Sequence, residues 1–381
     1  MSIQTAIQNA QQKVANAYTA VSEKGGTLPA TQNLSNLPAA IESISGGTTP
    51  TGTLSITANG TYDVTNYASA NVNVSGGGGV GIPREVTSDG VFGSPIENFT
   101  FTLPSNAKDV ASYALSYAFY GCNNLTSVDL SNLSAISGDS ALMNAFRECT
   151  SLTSVYLSNL STINGNNALM NAFWDCTSLT SVNLSNLSAI SGNSAFQYAF
   201  RECTSLTSVD LPKLSTISGA YALSSAFYEC NNLTSVDLSN LSTISGDNAL
   251  YYAFESCTSL TSVNLSNLSI ISGNNALSDA FYGCNNLTSV DLSNLSTISG
   301  NNAFRYAFNN CFNLKELSFP ALTSESFGSN TNQFNSMLRG VTGCTVHFPS
   351  NLESVIGSWS DVTSGFGGKN ATVLFDLPAT T

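Results

Sequence analysis

The chain has 381 residues, and only 9% of them are charged, far below the roughly 25% usual for soluble domains. It carries 11 Lys+Arg against 24 Asp+Glu, a net charge of -13 with no basic cluster. This excludes nucleic acid and anionic membrane as partners, because both demand concentrated positive charge. No apolar run approaches the roughly 18 residues of a membrane span, and MSIQTAIQNAQQKVANAY lacks the apolar core of a secretory signal.

In chain order, residues 2 to 23 read as a helix. Ile3, Ile7, Ala10, Val14, Ala17 and Val21 follow a 4-3-4-3-4 spacing, a heptad seam that fits self-association. Ile3, Ile7, Val14 and Val21 are its oligomerisation candidates, with a homotrimer as the expected state. A surface helix docking on its own chain is the other reading. Residues 1–50 form this attachment segment and 51–75 a small β module, where Asn59-Gly60 signals a hairpin and Ile56, Tyr62, Val64, Val72 and Val74 mark strands. Residues 76–81 are a glycine-rich linker; without a following Gly-Lys-Ser/Thr they are no phosphate loop. Residues 82–121 supply a cap and a first rung, with FTFTL from Phe99 to Leu103 as its strand.

Cysteine spacing then sets the period. Cys122, Cys149, Cys176, Cys203, Cys230, Cys257, Cys284 and Cys311 are each 27 residues apart, and only Cys344 falls outside the series. A period of 20 to 29 residues indicates a solenoid of leucine-rich type. In the unit from Cys149 to Asp175, Leu152, Val155 and Leu157 give an L-x-x-L-x-L strand, and Leu160 and Ile163 anchor the turn. Gly165 punctuates it, and Asn166 or Asn167 can cap a helix. Leu169, Ala172, Phe173 and Cys176 fall at i, i+3, i+4 and i+7, the stripe of a short helix. The fold predicted for 122–322 is therefore an α/β right-handed solenoid of strand-turn-helix units. Its eight rungs would make a parallel sheet about 34 Å long. Residues 323–381 form the C-terminal cap, with TVHF (345–348) and TVLF (372–375) as strands.

The unit A-F-x-x-C-x-x-L-x-x-V-x-L resembles the BspA-like family of bacterial leucine-rich repeats, over about Val110 to Leu322. That family mostly supplies interaction surfaces. Where it often places Ile-Pro after the strand, only Pro212 and Pro320 keep a proline. The front of the chain, NLSNLPAAIESI followed by ITANGTYDVTNYASANVNV, is similar to bacteriophage virion proteins, as is the ending CTVHFPSNLESVIGSWSDVTSGFGG. This second resemblance implies a virion component, such as a tail fibre, attached to other virion proteins through its N-terminus. A bacterial cell-surface adhesin is the alternative. The motif Leu377-Pro378-Ala379-Thr380 lacks the remainder of a sortase signal, so wall anchoring is not expected.

No catalytic group, cofactor or metal site is expected. His347, the one histidine, sits between Val346 and Phe348 in a strand, which suits a structural role. The cysteines lack zinc-type clustering and read as buried free thiols. Asp129, Asp210, Asp237 and Asp291 recur at an outward strand position without the loop spacing of a calcium cage.

Comparing repeats isolates the candidate interface. The residue after the repeated Ala-Phe varies, as does the residue two before that Phe, whereas Ala and Phe never change. These columns supply Tyr117, Tyr120, Trp174, Tyr198, Arg201, Tyr228, Tyr252, Tyr282 and Tyr306. Such residues dominate binding hot spots. Three apart on a helix, the columns would share a solvent-facing ridge, offered to a host-surface glycan or protein. Alternatively, they pave a low-charge surface or pack between neighbouring helices.

Overall fold

The computed structural model describes strands Thr53–Ile56, Ser69–Val72 and Phe99–Thr102, and residues 108–380 apart from 124 and 329–331. The seam Ile3, Ile7, Val14 and Val21, and the Asn59-Gly60 turn, lie outside these residues. The strands Thr53–Ile56 and Ser69–Val72 pair in parallel. Phe99–Thr102 joins Leu125–Asp129 as the N-terminal rung expected from its sequence.

The repeats coil into a solenoid with parallel strands on two sides. One sheet has ten strands, running through Ser154–Tyr156, Ser181–Asn183 and onward to Ser289–Asp291. A second sheet has seven two-residue strands such as Thr162–Ile163 and Ala189–Ile190. From Leu125–Asp129 onward, each strand of these two sheets lies in register with its counterpart 27 residues away, Val155 on Val182 and Ile163 on Ile190. This follows from composition. An unpaired strand edge seeks a neighbour, and identical units give every residue its own copy to pack against. The apolar positions read from the sequence all point inward, so Leu152, Leu157, Leu160, Ile163, Leu169, Ala172, Phe173 and Cys176 are fully buried.

The third side corrects the sequence reading. The short helices expected there are absent; residues 139–149 and their counterparts form overlapping β-turns. Within one rung, Met143 N–H donates to Ser140, Ala145 to Leu142 and Cys149 to Phe146. The alternate amides point along the solenoid axis: Ser140, Leu142, Asn144, Phe146 and Glu148 donate to Asn166, Ala168, Met170, Ala172 and Trp174 at 2.7–2.9 Å. Every fourth residue takes positive φ, as at Ser140 (52°), Asn144 (55°) and Glu148 (62°). A helix of this length would leave most of its terminal amides and carbonyls unpaired. The turn ribbon instead bonds them to the neighbouring rung, as burial requires. With no helix to cap, Asn166 accepts from Asn193 N–H at 3.0 Å with its side-chain oxygen, and donates its own N–H to Asp139 at 2.8 Å. Asn167 takes positive φ.

Side-chain columns reinforce the stack. Eight phenylalanines from Phe119 to Phe308 lie face to face, with centroids 5.2–5.6 Å apart. From Gly165 to Gly300, a Cβ added at any of the repeated glycines would lie 2.0–2.2 Å from the carbonyl oxygen of the preceding one. Only glycine permits that approach. Serine and threonine hydroxyls donate to carbonyls one rung back, as from Ser188 to Ser161 at 3.0 Å. The outward Asp129, Asp237 and Asp291 accept from the N–H two residues on, as Asx-turns do. Asp210 cannot, because Pro212 has no N–H. Beyond the repeats, Glu316–Ser318, Thr345–Pro349 and Thr372–Leu377 form a three-stranded parallel sheet. There Phe319, Phe334, Phe348 and Phe366 pack together and cover the end of the core.

Candidate binding site

The two variable columns lie on the turn ribbon, and the backbone decides how far each side chain projects. The column before the Ala-Phe pair takes positive φ at Tyr117, Asn144, Asn171, Tyr198, Ser225, Tyr252, Asp279 and Tyr306. Short side chains there are buried, Asn144 and Ser225 among them, and Tyr117 is the exposed end of the series. The shared solvent ridge expected from helical spacing is therefore corrected to a half-buried surface in which each rung stacks on the next.

In the N-terminal half that stacking alternates cations with rings. The Arg147 guanidinium lies 5.6 Å from the Tyr120 ring and 3.8 Å from the Trp174 ring. Arg201 lies 4.7 Å from Trp174, 5.8 Å from Tyr198 and 4.4 Å from Tyr228. Each arginine also has its own carboxylate: Arg147 meets Glu148 at 3.2 Å and Arg201 meets Glu202 at 2.8 Å. Tyr120 donates to Glu148 at 2.7 Å, a bond that raises its phenol above the ordinary value. Burial, with Glu202 and Glu148 nearby, raises Asp175 in turn. Sequence spacing found these residues but not their mutual engagement.

The C-terminal half is open. A cleft of ≈ 560 Å³ is bordered by Tyr251, Tyr252, Tyr282 and Tyr306, with Arg305, Arg339 and Asp279 among its polar walls. Thus three of the sequence-derived candidates, Tyr252, Tyr282 and Tyr306, come together around one depression. Tyr251 and Tyr252 meet edge to face at 4.2 Å. Two guanidiniums approach the Tyr306 ring, Arg305 at 4.9 Å and Arg339 at 5.6 Å from its centroid. Asn310 donates weakly to the Tyr282 hydroxyl at 3.5 Å. Gly340 forms part of the rim with φ of +79°, and a Cβ there would strike the Asn310 side chain.

The acids beside this cleft are shielded from water. Asp279 is buried and accepts from Ser278 at 2.9 Å; burial raises its carboxyl, with Arg305 opposing. Burial, with Asp279 and Glu229 close by, pushes Glu255 up to about 7. Arg305 and Arg339 could not have been placed at the cleft from sequence. Arg305 falls outside the two variable columns and Arg339 lies in the C-terminal cap.

Other candidates resolve differently. His347 Nδ1 lies 2.8 Å from Asp376 on the next strand, tying the cap together. Cys149 to Cys311 are buried, and each thiol donates to a phenylalanine carbonyl 30 residues earlier at 3.0–3.1 Å. Burial lifts their thiols above the ordinary value. Cys122, on the first rung, is only half-buried, unlike the rest of its column. Among the described residues no group of three or more His, Cys, Asp or Glu could hold a metal ion. No helix among them is long and apolar enough to cross a membrane.

The BspA type leucine rich repeat region matches in six copies, over residues 88–198, 170–306 and 252–358. The chain belongs to the BspA-type leucine-rich repeat family. Among solved structures this BspA-type chain is similar to a leucine rich cell surface protein from Faecalibacterium prausnitzii. The two share 17% identity over 85% of this chain and 88% of that one, with a TM-score of 0.30. It is also similar to a leucine-rich repeat protein from Bacteroides ovatus, at 19% identity over 73% and 84% of the two chains, with a TM-score of 0.21. No curated protein matches it.

Proposed function

We propose that this BspA-type chain is a non-catalytic recognition protein of a bacterial cell surface, presenting the turn ribbon to its partner. The observation that carries this reading is the cleft around Tyr252, Tyr282 and Tyr306. It gathers variable, amphipathic side chains onto a scaffold that is otherwise repetitive. Tyrosine and arginine give large contact area with a polar end, at low cost in conformational freedom. The sheet face instead carries serine and threonine hydroxyls already committed to neighbouring carbonyls. The partner is a glycan or protein outside the cell.

The test is location followed by binding. An antibody against the solenoid should label intact cells, and protease treatment of those cells should remove the label. Labelling confined to lysed cells would sink the surface reading. A second reading is favoured by the two end segments, which resemble virion proteins of bacteriophages; residues 1–87 lie outside the family match. It makes the chain a particle-attached protein, such as a tail fibre, joined to other virion proteins and self-associating through residues 1–50. Co-sedimentation with phage particles, and trimers in light scattering of the full chain, are its expected outcomes.

A further inference from the structure

We propose that the cleft at the C-terminal end of the turn ribbon binds a carboxylate-bearing saccharide. The pyranose would lie against the tyrosine rings, with its carboxylate between Arg305 and Arg339. This rests on the recognition reading above and specifies the ligand class of that site.

Charge placement favours an anion at this cleft. Among the described residues, Arg147 and Arg201 each meet a carboxylate within 3.2 Å, whereas neither Arg305 nor Arg339 forms an ion pair. The cause is the column that follows the variable residue. It reads Glu148, Asp175, Glu202 and Glu229 in the first four full rungs, then Ser256, Gly283 and Asn310. This column loses its acids where the cleft starts, and Asp279, from the column before the Ala-Phe pair, is the acid that lines the cleft. In a chain of net charge -13, two exposed guanidiniums that form no ion pair among the described residues, both within 5.6 Å of the Tyr306 ring centroid, form a local positive focus. A planar guanidinium pair is suited to a carboxylate, which it can hold through paired charge-assisted hydrogen bonds.

The cleft is also polar from end to end. Asp279 lies on the side away from Arg339, buried and held by Ser278. Arg305 offsets its charge, so Arg339 leaves the opposite end positive. Hydroxyls suit the Asp279 end, and an anion suits the Arg339 end, where the Asn310 amide bonds the Arg339 carbonyl at 2.9 Å. The wall itself suits a sugar. Tyrosine faces accept the C–H face of a sugar ring while their hydroxyls stay wet. The polar lining and modest depth suit a hydrated ring better than an apolar ligand. Gly340 keeps the rim low, since any side chain there would meet Asn310.

Isothermal titration of the full chain with 3′-sialyllactose, tri-galacturonate and uncharged lactose tests this. At least one acidic probe should bind tenfold or more tightly than lactose. R305Q/R339Q should weaken that binding at least tenfold and remove the preference over lactose, with an unchanged melting temperature. Tyr156→Ser, on the sheet face, should change nothing. Equal binding of charged and uncharged probes, no binding of any, or an unaffected double variant would each overturn the proposal. Antibody labelling of intact cells would persist in all three cases, so the surface reading fails or stands separately.

Discussion

The turn ribbon repeats one backbone from Ser140 to Asn310, yet its two halves hold charge in different ways. From Tyr120 to Tyr228, cations and rings alternate and each arginine has its own carboxylate. From Tyr252 to Arg339, the column after the variable residue turns from acids to Ser256, Gly283 and Asn310, and among the described residues Arg305 and Arg339 form no ion pair beside Tyr306. A uniform scaffold thus carries one half that satisfies itself and one that does not. In a repeat protein, a change at one position of one unit alters the surface without touching the core, because each unit contacts only its neighbours.

Changes to the glycines, the aromatic residues and the salt concentration set one half against the other, whereas pH acts chiefly through Glu255 near their junction. The largest effect should come from the glycines, and should be equal in both. Gly192→Ala and Gly273→Ala each press a Cβ to within 2.1 Å of a backbone carbonyl, and each should cost about 3 kcal/mol or more. Chemical denaturation checks this, and a large difference between the two would show that the scaffold is not uniform.

Next come the aromatic residues. Trp174→Ala removes the ring between Arg147 and Arg201 and should cost about 2 kcal/mol of stability. Tyr306→Ser should leave melting nearly unchanged and lower affinity for the acidic probes severalfold. The reverse pattern would exchange the roles of the halves.

The third effect is pH dependence. The Glu255 carboxyl, at about 7 folded against 4.5 ordinarily, keeps its proton longer in the native state. The stability it contributes is complete below about pH 4.5 and lost as pH rises through 7. Asp279 and Asp175, also raised, act in the same sense. Thermal melting should therefore occur at higher temperature at pH 5 than at pH 8, and Glu255→Gln should flatten the difference. An unchanged slope in that variant would assign the effect to other groups.

The smallest effect is that of salt. The partly exposed pairs Arg147–Glu148 and Arg201–Glu202 should each contribute about 0.5 kcal/mol or less. Raising salt to 1 M should barely move melting, yet should weaken acidic-probe binding at the open arginines severalfold. A melting shift of many degrees would mean that the ladder carries far more of the stability.

Much of the solenoid was legible because periodicity reports burial. Leu152, Val155, Leu157, Leu160, Ile163, Leu169, Ala172, Phe173 and Cys176 were assigned to the interior from spacing and are found there. The helix was misread for a physical reason. A ribbon of β-turns with positive φ every fourth residue also returns side chains inward at i, i+3, i+4 and i+7. The signal that separates the two is the identity of the residues between. Positions such as 140, 144, 167, 171, 275 and 279 hold Ser, Asn and Asp. Asn and Asp in particular tolerate left-handed backbone, and a four-residue beat of them argues for turns. The pairing of Arg147 with Glu148 could be guessed from adjacency, but not the ladder through Trp174. That ladder depends on contacts between units, which no single repeat encodes. The cleft was half legible, because three of its four tyrosines lie in the variable columns and its arginines do not.

The turn ribbon also bears on how the molecule would carry load. Between the rungs of Phe146 and Phe173, five amides of the ribbon bond across the joint, in addition to the strands of both sheets. A pull along the axis therefore meets resistance on all three walls at once, so a joint must give way as a whole rather than peel from one side. Because neighbouring joints are nearly identical, none is an obvious weak link, and rupture under tension would start at the ends, where stacking partners run out.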